Sequence, residues 1–491
     1  MNNYLSFNPQ YVLKPDEGRA LIMSAILGRD SYDYIEDTFS TFIHPIYAMI
    51  FCFMDGRSYK ECIGTASEYL NVKTEEVEKL IYSIADNPNY VKMESKCGTS
   101  VFPPYTIVSS KTSNLLHRFD PEMFQYTTID LRFKRHLTPS TITLMVNNTC
   151  VTNCVYCYED KSKKISCQIP LNRIIELIHE AKSLHVRTFD VIGGEFFLYK
   201  YWREVLYELA KNGYFPYLST KMPLNENIVK ELSKLKIHDI QISLDSLIEE
   251  HLVKSLCVGK GYVEKIKNCL LCLNKYDIHV MIHTVLSKYN NTIEDIASIY
   301  DFIQGMDNIT EWKIVKAEPS IYTKAEYRLI QINDDTLSEI IEYIKTIRQN
   351  NHFPIIAPIV LSESKKQDKR SFFGRNFCSG NYNSIYILPD GQVTICEQLY
   401  WNKQFIIGNV IKENIIDIWN SDKAKSLFYI KQNNIPEDSL CHFCSDFVKC
   451  RSLKQVCYRD IIKKYGEKKW YYPDANCPYS NSMIKNLQLA R

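Results

Sequence analysis

The chain has 491 residues, with 59 Lys or Arg against 57 Asp or Glu, so its net charge at pH 7 is only +2. A near-neutral chain lacks the broad basic surface that nucleic-acid binding requires, and a chain of this length folds into roughly two to four domains. The longest apolar run, residues 47–54, is too short to span a bilayer, and the N-terminus MNNYLSFNPQ has no signal-peptide pattern, so we expect a cytoplasmic protein without a membrane segment. Its seventeen cysteines indicate metal or cluster binding, because disulfides are rare in a reducing compartment.

Residues 1–95 begin with two strand-like segments, LSFNPQYVLKP and RALIMSA, and continue with three helical patterns. Ser58 can cap the second helix and Thr74 starts the third. This order predicts a winged-helix-like domain, but the third helix is acidic, which argues against DNA binding. The aromatic residues, the His-Pro pair and the Glu-Val-x-x-Leu-Ile segment resemble the RiPP recognition element, which binds the leader of a ribosomally made precursor peptide as an added strand. Residues 96–140 are expected to form a linker.

Between residues 141 and 330, β-rich runs alternate with amphipathic stretches in which apolar residues recur at three and four positions. The runs are TITLMVN, TFDVIG, YFPYLST, IHDIQISL, IHVMIHTVL and ITEWKIVK. Repeated βα units predict a parallel sheet, and six units predict a full or partial TIM-type (β/α)6 barrel, an α/β fold. Chemistry in such barrels lies at the C-terminal ends of the strands. A helix and a polar linker over 331–372 are expected to bridge to a cysteine-rich region, 373–491.

A loop directly after the first barrel strand carries a C-x3-C-x2-C spacing, and its cysteines are called the first set: Cys150, Cys154 and Cys157. Three thiolates can hold three irons of a [4Fe–4S] cluster and leave the fourth iron open to a small molecule. The loop resembles that of the radical S-adenosylmethionine (SAM) superfamily, which implies that the open iron binds SAM and that a 5′-deoxyadenosyl radical is produced. Tyr156, the aromatic residue before the last cysteine, is a candidate SAM contact. A structural zinc site is the alternative.

Later strand ends resemble further SAM-binding motifs of the family. The candidate contacts are Gly193, Gly194, Glu195, Ser219, Ser243 and Asp245. The first three match the GGE motif, and the last two match the SLD segment. Relatives often carry Thr-Asn-Gly after the third strand, whereas Lys221 and Met222 follow here, and Lys254 is the candidate to replace an arginine common in the family. For the two serines and the aspartate, polar strand ends that cap a turn are the alternative.

The region 373–491 contains seven cysteines whose spacing, together with the hairpin ILPDGQVTIC, resembles the SPASM domain. The resemblance implies two auxiliary [4Fe–4S] clusters. The ligands of one, called the distal set, are Cys441, Cys444, Cys450 and Cys477. The ligands of the other, called the proximal set, are Cys378, Cys396 and Cys457. Six residues separate Cys450 from Cys457 where the family usually has three, and no extra cysteine precedes Cys378 closely, so the proximal iron is expected to have an open position.

These resemblances predict a peptide maturase that abstracts hydrogen from a precursor peptide and installs a crosslink, with a thioether of the sactipeptide or ranthipeptide type favoured. Glu397 directly follows Cys396, where sulfatase-maturating relatives carry a catalytic carboxylate, so it is the candidate base. The expected partners are the precursor, whose leader binds the N-terminal domain, and an electron donor such as flavodoxin or ferredoxin. Carbon–carbon crosslinking, epimerisation, a sulfatase-maturating oxidase and a non-catalytic zinc-binding protein are the alternatives.

Overall fold

A computed structural model describes the chain in eleven ranges. They are residues 4–25, 40–115, 119–160, 163–165, 168–318, 320–322, 329–349, 351–358, 369–375, 377–452 and 455–480. The described residues form two compact units, Met1–Ser140 and Thr141–Arg491. Most of the polar linker expected before the cysteine-rich region lies outside the described residues. Among the helices that are described, none has the length and apolar character needed to cross a membrane.

The N-terminal unit combines three helices with short antiparallel sheets. Its strands are β1 (Tyr4–Phe7), β2 (Tyr11–Asp16), β3 (Arg19–Ser24), β4 (Ser40–Ile43), β5 (Asp55–Ser58), β6 (Val91–Ser95), β7 (Gly98–Phe102) and β8 (Ile107–Ser110). Its helices are α1 (Pro45–Phe51), α2 (Tyr59–Leu70) and α3 (Thr74–Ile84). The strands pair in the orders β5-β1-β8, β2-β3-β4 and β6-β7. Ser58 forms the expected N-cap of α2, with Glu61 completing a capping box.

Residues 96–140, which we expected to be a linker, belong to this same unit. β8 pairs with β1 over four residues, and β7 pairs with β6 over five. The side chain of Phe124 is completely buried in the same apolar core as α1 and α2. The sequence pattern missed this because a two-residue turn and short half-buried strands leave little periodicity to read.

The second unit contains all six predicted barrel strands and the helices between them. The strands are β9 (Thr141–Met145), β10 (Thr188–Ile192), β11 (Ser219–Thr220), β12 (Asp239–Ser243), β13 (His279–Leu286), β14 (Ile309–Lys316) and the short β15 (Ile355–Ile356). The helices are α4 (Leu171–Ser183), α5 (Trp202–Lys211), α6 (Glu226–Lys234), α7 (Glu249–Leu256), α8 (Tyr262–Lys275), α9 (Ile293–Ile303) and α10 (Asp334–Arg348). β11 to β15 form one parallel sheet, and β10 pairs with β9 in another. The strands described in this unit therefore form two sheets and no closed barrel.

The cysteine-rich region continues the sheet that begins with β10 and β9. Its elements are α11 (Lys369–Phe373), β16 (Ser384–Ile387), β17 (Gln392–Thr394), β18 (Ile406–Asn409), α12 (Ile415–Trp419), α13 (Asp422–Phe428) and α14 (Tyr458–Tyr465). β16 lies parallel to β9, with Ile387 opposite Leu144, and β17 and β18 follow antiparallel. The predicted hairpin turn is present, with Gly391 at φ +83°, a conformation that favours glycine. Cys396 follows β17, two residues after Thr394, which pairs with Tyr386 of β16.

Candidate active site

The loop that carries the first set is held by side-chain and backbone hydrogen bonds. The Thr152 hydroxyl lies 3.4 Å from the sulfur of Cys150 and 3.2 Å from that of Cys154, so it keeps two of the three thiols together. The backbone N–H groups of Asn153 and Val155 each donate at 2.9 Å to the last two carbonyls of α7. Because carbonyls at a helix C-terminus have no partner within the helix, the loop caps α7 while α7 positions the loop.

The GGE loop packs directly on the backbone of the first-set loop. The N–H of Glu195 donates to the Thr149 carbonyl at 2.7 Å, and the N–H of Gly194 donates to the Asn147 carbonyl at 2.9 Å. A Cβ added at Gly194 would stand 2.6 Å from the Thr149 carbonyl oxygen, closer than real Cβ contacts. The second glycine of the motif is therefore required for the approach of two protein loops, whatever its role toward SAM.

The Glu195 side chain bridges the gap between the two sheets. One carboxylate oxygen accepts from the Thr220 hydroxyl of β11 at 2.7 Å, and the other accepts from the N–H of Phe197 at 3.2 Å. The residue is only 3% exposed, and this burial raises the pKa of its carboxyl. In the described structure β10 and β11 are not ladder partners, so this side chain links the ends of the strands where the backbone does not.

The two candidate serines share one partner that the sequence reasoning missed. The Gln241 amide donates to Ser219 Oγ at 2.9 Å and to Ser243 Oγ at 3.1 Å, and it accepts from the Tyr217 hydroxyl at 2.6 Å. Gln241 lies on β12 with its side chain on the same face as Ser243, two residues later. The structure thus brings both serines to one polar patch at the strand ends.

Asp245 is the centre of a buried charged network. Its carboxylate accepts from the Tyr156 hydroxyl, from Lys221 Nζ at 3.3 Å and from the N–H of Val285 at 2.9 Å. Asp245 is 1% exposed, and both of its oxygens are engaged by the protein. It therefore fixes Tyr156, and with it the first-set loop, relative to β13. Burial, followed by the Asp245 charge, raises the pKa of Tyr156 well above its ordinary value, so this hydroxyl remains a donor.

Lys221 provides the cation of this network. Its Nζ lies 5.5 Å from the centroid of the Tyr156 ring, and its carbonyl accepts from the Tyr262 hydroxyl at 2.6 Å. Burial and then the Lys221 charge lower the pKa of nearby His283 to about 4. Lys254, our candidate to replace an arginine common in the family, is exposed on α7. The signal for Lys221 was the departure from Thr-Asn-Gly, which places a lysine directly after a strand end.

The four thiols of the distal set line a single cavity in the C-terminal region. The Gln432 amide shapes the turn between two of them by donating to the carbonyls of Cys441 at 3.1 Å, His442 at 3.0 Å and Cys444 at 2.8 Å. Sulfur donors around a shared cavity suit an iron–sulfur cluster, so the residues fit the expected group. Within the described ranges, no three His, Cys, Asp or Glu side chains stand close enough together to hold a single metal ion.

The three thiols of the proximal set also come together. Burial raises the pKa of Cys396 to about 12, and the adjacent thiols of Cys378 and Cys457 contribute to the same shift. Cys457 therefore lies beside its expected partners despite the unusual spacing after Cys450. The six-residue spacing between Cys450 and Cys457 is compatible with this position. Residues 448–452 form a π-helical turn, which is wider than an α-helical turn, before the chain continues to Cys457.

Glu397 directly follows Cys396, and its charge acts on residues near both cysteine sets. Burial raises the pKa of its carboxyl, and the Arg459 cation opposes this shift. Its charge is the main cause that raises the pKa of Tyr158, the residue after Cys157, and it contributes after burial to the raised pKa of Tyr386 on β16. A half-buried carboxylate with a raised pKa is a group that can exchange a proton near neutral pH.

Comparison with known families identifies two domains in the second unit. The model of the radical SAM superfamily matches residues 144–303, which include the first set, the GGE motif and the SLD segment. The model of the iron–sulfur cluster-binding SPASM domain matches residues 378–445, which include four of the seven C-terminal cysteines. These two domains imply SAM, one [4Fe–4S] cluster in the first loop and auxiliary clusters in the C-terminal region.

Two curated proteins are similar over part of the chain. The sporulation killing factor maturation protein SkfB of Bacillus subtilis (strain 168) is 21% identical over 283 residues, which cover 57% of this chain and 64% of SkfB. A probable GTP 3′,8-cyclase of Archaeoglobus fulgidus is 27% identical over 125 residues, which cover 26% of this chain and 41% of the cyclase. The chain thus spans less than two thirds of the length of each relative.

Solved structures resemble the fold over nearly the whole chain. SuiB of Streptococcus suis aligns with a TM-score of 0.63 and 15% identity, covering 96% of this chain and 99% of SuiB. SuiB bound to its precursor peptide SuiA aligns with a TM-score of 0.62 and 16% identity, again covering 96% of this chain and 99% of SuiB. Identity this low shows the fold alone, and that fold belongs to the predicted α/β class.

Proposed function

Because the chain is a radical SAM enzyme with a SPASM domain, we propose that it modifies a ribosomally made precursor peptide by abstracting hydrogen and installing a thioether crosslink. The observation that carries this proposal is the alignment with SuiB over 96% of the chain. SuiB has been crystallised with a precursor peptide, and SkfB is the maturation protein of a killing factor. The alignment is longer than the two matched domains, so it includes residues of the N-terminal unit.

The N-terminal unit is proposed to bind the precursor's leader. It contains the antiparallel sheet β2-β3-β4 and the three helices that resemble a RiPP recognition element. An extended peptide can add to the edge of such a sheet through backbone hydrogen bonds, with little demand on its side chains. The acidic start of α3, where Glu75 and Glu76 are both exposed, favours a peptide over a polyanion as the partner.

In the second unit, each group of residues has a proposed role. The first set would hold the [4Fe–4S] cluster that supplies, with SAM, the 5′-deoxyadenosyl radical that abstracts hydrogen. Ser219, Ser243 and the GGE backbone would bind SAM, while Asp245 and Lys221 hold the loop through Tyr156. Glu397, whose pKa is raised by burial, would accept the proton of a precursor cysteine. The electron donor is proposed to be a flavodoxin or ferredoxin.

The proximal set is the reason for preferring a thioether. Cys378, Cys396 and Cys457 supply three thiolates, and a precursor cysteine is a suitable soft ligand for a fourth position. Holding that sulfur close to the carbon that loses hydrogen would favour carbon–sulfur bond formation, and the one electron left over would pass to the cluster that the proximal set would hold. Glu397 directly after Cys396 can take up the proton as the sulfur is deprotonated.

Mass spectrometry of the precursor encoded beside this gene, co-expressed with the enzyme, tests the proposal. We expect each event to remove two hydrogens and one alkylatable cysteine from the precursor. Loss of two hydrogens with all cysteines still alkylatable would indicate a carbon–carbon crosslink, and deuterium uptake without loss would indicate epimerisation. A precursor that remains unchanged would contradict the proposal. The matched variants are Cys396→Ala, expected to lose product, and Cys257→Ala at an exposed cysteine outside all three sets, expected to keep it.

Leader binding has a separate test. A chain without residues 1–140, the whole compact unit, should bind a fluorescently labelled precursor far more weakly than the full-length chain does. It should retain slow SAM cleavage. The deletion ends at residue 140 because β7 pairs with β6 and β8 pairs with β1. A shorter deletion would leave β7 and β8 without their partner strands. Normal processing of the full-length precursor by this truncated enzyme would contradict the role of the N-terminal unit.

A further inference from the structure

A buried guanidinium lies in the wall of the distal-set cavity. Arg451 is 2% exposed and lines the same cavity as the four thiols. Its Nη2 donates to the carbonyls of Tyr471, at 3.0 Å, and Tyr472. Its Nε and Nη1 are buried and have no hydrogen-bond partner among the described residues. Leaving charged donors buried and unpaired is unfavourable, so a ligand that pairs with them is stabilised.

A second guanidinium contacts one of the distal thiols directly. Arg375 Nη2 lies 3.4 Å from the sulfur of Cys450, and it also donates to the carbonyls of Cys450 at 3.1 Å and Gln455 at 2.7 Å. The guanidinium carbon stacks 4.1 Å from the centroid of the Phe372 ring, which lines the cavity. The two arginines approach the cavity from separate segments of the chain, 369–375 and 448–452.

Two carboxylates line the same cavity, but both have protein donors. Asp446 accepts from the Tyr479 hydroxyl at 2.6 Å. Asp474 accepts from the backbone N–H of Cys457 at 3.3 Å and of Asn476 at 2.9 Å. The buried groups left unpaired at the cavity are therefore donors with positive charge, which suit sulfur acceptors with negative charge.

The proximal set has a different electrostatic environment. Its neighbouring cation, Arg459, donates to Asp460 at 2.9 Å and to the Gln398 side chain at 2.9 Å. Glu397 is a further carboxylate beside Cys396. The proximal thiols thus lie near one paired arginine and two carboxylates. The distal thiols lie near two carboxylates with protein donors and two arginines, one of which keeps unpaired donors.

We propose that Arg451 and Arg375 are positioning residues that donate hydrogen bonds to the sulfur atoms of the cluster held by the distal set and stabilise its reduced form. The distal site then has the higher reduction potential of the two auxiliary sites. Reduction adds negative charge, and N–H donors and cations near the sulfurs favour the more negative state. The inference concerns the auxiliary clusters and does not depend on which bond the enzyme forms in its peptide.

Redox titration followed by electron paramagnetic resonance tests this inference in the full-length, reconstituted protein. Replacing Cys150, Cys154 and Cys157 by Ala removes the first cluster. Adding Cys396→Ala disrupts the proximal set and leaves the distal signal alone. Adding Cys444→Ala instead disrupts the distal set and leaves the proximal signal alone. In the distal background, Arg451→Met and Arg375→Met should each increase the oxidised-to-reduced ratio at the original midpoint about tenfold, which is ~59 mV for a one-electron couple. Arg459→Met is the matched control and should leave the distal midpoint unchanged.

Iron content is measured for every variant, so that loss of the cluster is separated from a shift in its potential. If Arg451→Met loses distal iron, the midpoint of Arg375→Met is the deciding measurement. Arg375 is only half-buried, so its replacement is expected to disturb the fold less. An unchanged distal midpoint in Arg375→Met with full iron would overturn the inference. So would a distal midpoint below the proximal one before any arginine is replaced, or stoichiometric zinc in place of iron at the distal site.

Discussion

The first-set loop and the distal-set cavity are two solutions to the problem of holding a cluster. The three cysteines of the loop lie within eight residues, and the backbone of the surrounding loop is hydrogen-bonded to α7 and to the GGE loop. The four cysteines of the cavity span residues 441–477 and are gathered by a turn, a widened helical segment and a loop. The loop is thus a local structure set on strand ends, and the cavity is an assembly of distant segments.

This difference indicates what each site needs. A radical formed beside the first cluster must be placed accurately against a substrate, so the loop is held by backbone contacts and by the buried Asp245–Lys221 pair. The distal set instead lies beside charged donors from Arg375 and Arg451. The predictions below test how strongly the function of the loop depends on the residues that hold it.

Replacing the first set, Cys150→Ala, Cys154→Ala and Cys157→Ala, should have the largest effect. We expect SAM cleavage to fall below detection, while iron falls by only about a third because one of three clusters is lost. Chromatographic assay of 5′-deoxyadenosine and an iron determination measure the two quantities. Retained production of 5′-deoxyadenosine would show that the loop does not hold the catalytic cluster, and loss of nearly all iron would show that the sites are not independent.

Gly194→Ala should be the next most severe change. The added Cβ would stand 2.6 Å from the Thr149 carbonyl oxygen, so the GGE loop and the first-set loop must separate. A shift of this kind is expected to reduce the rate of SAM cleavage about 100-fold. Gly305→Ala is the control, since nothing lies within 4 Å of a Cβ at that position. Equal rates for the two variants would mean that the close approach of the loops has no functional importance.

Asp245→Asn should reduce SAM cleavage about tenfold, because it keeps the size of the side chain but leaves the Lys221 cation unpaired. Adding Lys221→Met removes the unpaired charge, so the double variant should unfold at a higher denaturant concentration than Asp245→Asn alone. Asp307→Asn, at an exposed position, serves as the control. Additive losses in unfolding free energy would argue against a buried ion pair.

His283 should make the smallest contribution, visible as a pH dependence of stability. Burial and the Lys221 charge lower its pKa from 6.5 to about 4. Between these two values the unfolded chain binds more protons, so the free energy of unfolding should decrease as the pH falls from 6.5 toward 4 and be unaffected by His283 above 6.5. The slope from this residue is at most about 1.4 kcal/mol per pH unit. Denaturation at several pH values should show a shallower slope for His283→Asn than for His238→Asn, an exposed control.

The helices of the N-terminal unit could be predicted from the sequence, but the extent of the unit could not. Helices α2 and α3 were predicted because each has a start signal and an apolar face. The extent of the unit was not predicted, because β8 pairs with β1 at the start of the chain, and the short hairpin of β6 and β7 carries no long periodic pattern of its own. Short strands are stabilised by partners, and partners distant in sequence leave no local signal.

The sequence by itself determined the first set, the six barrel strands and the cysteines of the C-terminal region, because ligand spacing and alternation of apolar residues are local properties of the chain. Only the tertiary structure placed Lys221 against Asp245, joined Ser219 to Ser243 through Gln241, and continued the barrel sheet from β9 into β16. It also decided that Arg451 lines the distal cavity with unpaired donors. These contacts join residues from different elements, and whether a polar side chain is buried or exposed depends on what packs around it rather than on its neighbours in the chain.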